Sequence, residues 1–347
     1  MPDIASLPSS LTPLDPAYED TVRRLTTIAT TVAPALSIGA LAALEGMSDV
    51  VEWASHGQSA DETASIWLQN FRWARILGLT ISDDAPVPPR TGWEDLVLDD
   101  QPRFSPRLSE IDPVSAEALV LGHMQYPARH AFPEASSAAF LPRLTPLAFY
   151  PQNSAPHLGQ LAANITSLTH GSPEALASGI AWVFLLRYCL SPELSEDSSD
   201  TERVLDACRK VTGFLPPLDG NDTEVPQGLR AQYAATGSSS RSLRGIFSSA
   251  PLTTGVLRDY AGHPGASSVD RPECVEALAS AIGSAAGSSS QHGSIRVSSH
   301  LGLVLREAIR LGSTGDLPAP ALPRALESCL ERWIGAMHAW VRLVPSR

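Results

Sequence analysis

The sequence predicts an all-α protein folded as a single orthogonal multi-helix domain, and three observations carry that reading. The first is apolar spacing near the end of the chain. Val297, Leu301, Val304, Leu305, Ala308 and Ile309 fall at i, i+4, i+7, i+8, i+11 and i+12, with Arg306, Glu307 and Arg310 on the opposite face. Leu326, Leu330, Trp333, Ile334, Met337, Trp340 and Val341 repeat the pattern. The second is punctuation. Asp112-Pro113, Ser172-Pro173 and Arg271-Pro272 place proline where a first helical position belongs, with Asp112 and Ser172 as N-caps. The third is the scarcity of alternating β patterns, since only Leu96-Val97-Leu98 reads as a strand fragment.

Taken in order, residues 1–16 read as a tail and 17–343 as the domain, with about a dozen helices. Gly39 to Leu44 opens an apolar helix. Residues 81–112, rich in Pro and Asp, and residues 213–258, with the Ser238-Ser239-Ser240 run, read as long loops. Gly283 to His292 is Gly/Ser-rich and reads the same way. The most apolar stretch, Ala175 to Leu186, suits a helix buried on all sides and is too short to span a bilayer. Leu190-Ser191-Pro192 ends it, because the residue before proline avoids the α region.

Composition narrows the function classes. The chain has 347 residues, 43% hydrophobic and 18% charged, enough for a sizeable core and too apolar for wholesale disorder. Its net charge of −12 gives no electrostatic footprint for nucleic acid or an anionic membrane surface. Of 25 basic residues only Lys210 is lysine, which GC-rich codons explain. Cys189, Cys208, Cys274 and Cys329 are far apart and form no CxxC, so buried thiols in a reducing compartment are expected rather than disulfides or zinc. Residues Met1 to Asp15 lack the order of a signal peptide, and the expected location is cytoplasmic. No nucleophile elbow, phosphate loop, dinucleotide fingerprint or zincin motif occurs.

One block is more specific. Phe140-Leu141-Pro142-Arg143-Leu144-Thr145-Pro146-Leu147 is followed by Leu168-Thr169-His170-Gly171-Ser172-Pro173 and then by the buried helix. This resembles the ADP-ribosylglycohydrolase family, in which Met-Arg-x-x-Pro-Leu precedes Leu-Thr-His-Gly-x-Pro. Asp112-Pro113 to Gly122-His123 resembles the helix before it. More weakly, Gly39 to Leu44 resembles the family's opening helix and Val51-Glu52-Trp53 its Val-Glu-Phe. Ala60-Asp61-Glu62-Thr63 then stands where Thr-Asp-Asp-Thr is expected, and Arg310 to Leu317 where Asn-Leu-Gly-Gly-Asp-x-Asp-Thr is expected. The resemblance thus runs from about Gly39 to Gly335.

The resemblance implies hydrolysis of an ADP-ribosyl glycosidic bond by two magnesium ions held by those two acidic motifs, which orient a ribose diol and activate water. Carried over residue by residue, it makes Asp61 and Glu62 the catalytic acids, and Asp61, Glu62 and Asp316 the ligands of a weakly held magnesium ion. His123, Arg129, Phe140, Arg143 and Thr314 become the substrate-binding set. The departures are equally specific. Ala60 and Leu317 cannot ligate, Thr314 replaces a carboxylate by a hydroxyl, and Glu62 displaces its carboxylate by roughly 1.5 Å relative to Asp. Three acids can hold one ion with several waters; two tight ions would need more. A helix N-terminus explains Asp61-Glu62 without any metal, and His170 reads as a local packing residue. His130, beside His123 and Arg129, is a candidate acid/base group.

Three functions follow. One is a divergent ADP-ribosylglycohydrolase. Another is the same fold with its metals lost and its pocket, apolar at Ala138, Ala139, Phe140 and Leu317, turned to a cyclisation or isomerisation of a specialised metabolite. The last is a non-catalytic binder with a protein partner, of inhibitor or immunity type. The partners expected are accordingly an ADP-ribosyl or other small-molecule ligand, or a protein.

Overall fold

The structure is a computed structural model and describes residues 16–30, 34–99, 108–151, 154–191, 199–215, 243–262, 271–287, 296–314 and 324–343. Among these residues all regular structure is helical: α1 (Pro16–Ala29), α2 (Pro34–Ser55), α3 (Glu62–Ile76), α4 (Gly92–Asp99), α5 (Pro113–Leu119), α6 (Leu141–Leu144), α7 (Ala155–Ser167), α8 (Pro173–Cys189), α9 (Asp200–Thr212), α10 (Leu243–Ser248), α11 (Pro251–Tyr260), α12 (Glu273–Ala285), α13 (Arg296–Thr314) and α14 (Arg324–Leu343). Two 3-10 turns, Leu108–Glu110 and Thr145–Phe149, complete it, and the one β-bridge is isolated, Tyr126 to Arg129. The all-α expectation holds. None of the described helices is long and apolar enough to cross a membrane.

The centre of the fold is α8. Ser172 caps it, its Oγ accepting from the Ala175 N–H at 3.1 Å, and Pro173 occupies the first turn. From Ala175 to Leu186 no side chain is more than 2% exposed, as the apolar run predicts. Around it pack α6, α7, α9, α10, α11, α12 and α13. Each Leu or Phe that α8 removes from water contributes roughly 1.5–3 kcal/mol, and Trp182 and Phe184 belong to the same core. Gly179 is where α7 crosses, since a Cβ there would sit 2.4 Å from Thr166 Oγ1.

A second layer joins α2, α3, α4 and α14. Gly46 sets its spacing: a Cβ would fall 2.7 Å from the Ile66 Cα, so only glycine lets α3 lie this close against α2. On its other side α2 carries Glu45, Asp49 and Glu52, and Arg332 of α14 grips all three. Arg332 Nη2 lies 2.6 Å from Asp49 Oδ1 and 2.7 Å from Glu52 Oε2. Glu45 is buried, and loss of water raises its carboxyl above the usual range against the pull of Arg332. A buried acid of this kind is tolerable only because its cation is present.

Several expectations need correction. Leu96-Val97-Leu98 lies in α4, because the buried positions are Trp93, Glu94 and Val97, a helical repeat that three residues of alternation conceal. Part of the expected 81–112 loop is therefore helix, and α10 and most of α11 fall inside the expected 213–258 loop. Gly283 likewise lies within α12. Pro272 is the N-cap of α12 rather than its first residue. The four cysteines are free and buried, as composition suggests.

Candidate functional site

The start of α3 is built by its own sequence. Asp61 is extended at φ −81° and ψ 116°, and its Oδ1 accepts from the Ala64 N–H at 2.8 Å. Glu62 follows in the first turn, where the helix dipole favours negative charge. Asp61 is exposed, Glu62 half-buried and Thr63 buried.

Two other segments converge on Glu62. Tyr150 closes the 3-10 turn after α6 and donates its hydroxyl to Glu62 Oε1 at 3.1 Å. Its position is fixed from below, because the buried Arg187 of α8 donates to the Tyr150 carbonyl at 2.8 Å and to the Ala148 carbonyl at 3.2 Å. His157, in the first turn of α7, places Nε2 at 3.4 Å from the same Glu62 oxygen. Ser154 caps that turn, its Oγ accepting from the His157 N–H. One and two turns further along α7, Gln160 donates to Asn164 Oδ1 at 2.8 Å and Asn164 donates to Thr63 Oγ1 at 3.5 Å. A polar seam of α7 thus faces the opening of α3.

The charges reinforce one another. The hydrogen bond from His157 holds the Glu62 carboxyl below its ordinary range, against the opposing effect of burial. The same bond raises His157. Burial, and then the neighbouring carboxylate, push the Tyr150 hydroxyl far up, so it stays a donor. The site is a carboxylate between an imidazole and a phenol, with an exposed second carboxylate, Asp61, beside it in sequence.

The other expected residues are scattered. Asp316 and Leu317 lie outside the described residues, as does the side chain of Thr314, the last residue of α13. His123 and Arg129 are exposed, on either side of Tyr126. His130 is committed at both ring nitrogens: Nε2 donates to the Ser167 carbonyl at 2.6 Å and Nδ1 accepts from the Phe132 N–H at 2.8 Å. Burial lowers it, so the neutral ring is the working form, and a transferable proton is not what it offers.

Phe140 and Arg143, expected to touch substrate, are corrected to interior residues. Phe140 is 1% exposed and tilts against the His170 ring at 4.8 Å. Arg143, 2% exposed, donates from Nη2 to the Ile165 carbonyl at 3.0 Å and to Thr169 Oγ1 at 2.9 Å. Burial brings its guanidinium down to about 10. His170 bridges Thr169 Oγ1 and Ser137 Oγ, each at 2.7 Å, with Asp112 Oδ2 3.8 Å away. Asp112 meanwhile caps α5. The Thr-His-Gly turn is therefore a fastening, as the local reading of His170 expects.

Sequence reasoning missed Tyr150, His157 and Asn164. A signal was present for two of them. His157, Gln160 and Asn164 form an i, i+3, i+7 polar stripe on a helix whose remaining positions are mostly buried and apolar. Such a stripe says that something polar faces it, though not what.

The family model for ADP-ribosylglycohydrolase matches residues 91–316. The chain belongs to the ADP-ribosylglycohydrolase family. The matched segment contains the Arg143 and Thr169-His170-Gly171 elements and ends at Asp316, while the start of α3 precedes it. Searches of curated proteins and of solved structures returned no match.

The resemblance implies magnesium, and the described residues do not fit a two-ion centre. Among them no group of three or more His, Cys, Asp or Glu side chains could hold a metal ion. Ala60 offers no ligand, Asp61 Oδ1 is used by the helix cap, and the Glu62 carboxylate is engaged by Tyr150 and His157. A hard cation requires several free oxygens at about 2.0–2.1 Å.

Proposed function

We propose that this chain is a metal-depleted member of its family that recognises an ADP-ribosyl-type ligand at the opening of α3, without a two-magnesium centre. The observation that supports the reading is the engagement of Glu62 by Tyr150 and His157. The exposed Asp61 and half-exposed His157 remain available to a ligand's hydroxyls, from which a carboxylate accepts and with which an imidazole ring can hydrogen-bond. Hydrolysis of the glycosidic bond, where it occurs, is then slow, because no Lewis acid polarises the ribose or activates water.

The test is calorimetric titration of ADP-ribose, in EDTA and in excess magnesium, alongside release of ADP-ribose from arginine-modified protein. Equal affinity in the two buffers and slow release are the expected outcome. A tight two-site magnesium isotherm with rapid, magnesium-dependent release would restore the full hydrolase. A single-ion hydrolase using Asp61, Glu62 and Asp316 is the second reading. It is favoured by the adjacency of the first two at one helix start, and one-site magnesium binding that accelerates release would establish it.

A further inference from the structure

The donors around Glu62 do more than leave a metal out. Oε1 is a single carboxylate oxygen with two lone-pair directions, and two donors from separate elements reach it, Tyr150 at 3.1 Å and His157 at 3.4 Å. The carboxylate also accepts from its own backbone N–H. A divalent ion bound to Oε1 at about 2.1 Å would have to share that oxygen with both donors.

Each donor is held independently of Glu62. Tyr150 is anchored by Arg187 through its carbonyl. His157 is fixed at its backbone by the Ser154 cap and sits in the first turn of a helix that packs on α3. The obstruction is therefore part of the framework and does not depend on Glu62 gathering loose side chains.

We propose that His157 is a metal-excluding residue: its ring, seated on Glu62 Oε1 beside the Tyr150 hydroxyl, occupies the place of a divalent cation, and its removal opens the start of α3 to one. This rests on the reading that ligand recognition here runs without a two-metal centre, and it adds the residue responsible. His157 is the better candidate than Tyr150, since its ring is partly exposed and its helix packs on α3. Removing it frees a lone-pair direction of Glu62 Oε1 at the start of α3.

The test uses the full chain and manganese(II), read by electron paramagnetic resonance, with magnesium calorimetry as a second measurement. Wild type is expected to bind manganese no more tightly than His157→Ala/Glu62→Gln. His157→Ala should bind at least tenfold more tightly, and the added Glu62→Gln should abolish the gain. His157→Ser, which removes the ring, replaces the alanine variant if that does not fold, and the same gain is expected.

Absence of any gain in a folded His157 variant, while wild-type release of ADP-ribose stays magnesium-independent, overturns this inference alone. Tight manganese binding by wild type, lost in Glu62→Gln, overturns it as well. Magnesium-dependent turnover by wild type instead strikes at the proposed function, so the two failures are separable.

Discussion

Two polar clusters in this protein are built from the same parts and are put to opposite uses. Under the Thr-His-Gly turn, Asp112, Ser137, Arg143, Thr169 and His170 join a carboxylate, an imidazole, hydroxyls and a guanidinium. At the opening of α3, Glu62, Tyr150 and His157 join a carboxylate, a phenol and an imidazole. The first cluster is sealed, with Arg143 2% and His170 0% exposed. In the second, the His157 side chain is 47% and the Glu62 side chain 26% exposed. Burial decides what each can do. A cluster out of reach of solvent can only fix the chain. An open one can exchange a partner for a ligand.

The difference also separates two kinds of family likeness. The matched segment holds the fastening, and the open cluster depends on a helix start that precedes it. Strong similarity here marks what holds the fold together, and function has to be argued from the site.

The sharpest way to break the comparison is Arg143→Ala. It takes one donor each from the Ile165 carbonyl and the Thr169 hydroxyl and leaves a cavity, so a loss of about 3 kcal/mol or more is expected in urea unfolding. A loss under about 1 kcal/mol would mean that the sealed cluster is not a fastening.

Next is pH. Burial lowers His170 strongly, Asp112 opposing and Arg143 and His130 adding to the effect. The folded protein refuses a proton that the unfolded chain takes up below about pH 6.5. Stability should be full above that pH and fall as pH drops through the interval down to the depressed folded value. His170→Gln costs about 1–3 kcal/mol at neutral pH and should flatten this slope between pH 6.5 and 4, measured by denaturation at each pH.

Smaller effects belong to the open cluster. Asp61→Ala removes a helix cap and should cost about 1 kcal/mol. His157→Ala should cost about 0.5 kcal/mol, since the pair is partly solvated, while changing ADP-ribose affinity by more than its effect on stability. If His157→Ala destabilises as much as Arg143→Ala, the open cluster is a second fastening and the contrast fails.

The sequence showed much of the fold. The apolar repeats of α13 and α14, the all-round burial of α8 and the caps at Asp112 and Ser172 are local features, readable from spacing and residue type. Leu96-Val97-Leu98 misled because three residues cannot distinguish a period of 2 from one of about 3.6. Asp61 and Glu62 were visible through resemblance. What Glu62 bonds to was not, because Tyr150 lies 88 residues away and the pairing exists only once α6, α7 and α3 have packed. The interior placement of Arg143 and Phe140 was hidden for the same reason. Their burial is a property of the packed core and carries no local mark.

The grip of Arg332 on α2 has a consequence for how the chain comes into being. Glu45, Asp49 and Glu52 emerge before their counter-charge, which lies 280 or more residues downstream. Until α14 is made, α2 therefore carries three mutually repelling acids, one destined for the interior. The α2–α14 seam cannot settle until α14 has left the ribosome. The order of closure runs against the order of manufacture, and a nascent chain stalled before α14 should present α2 to holding chaperones and proteases.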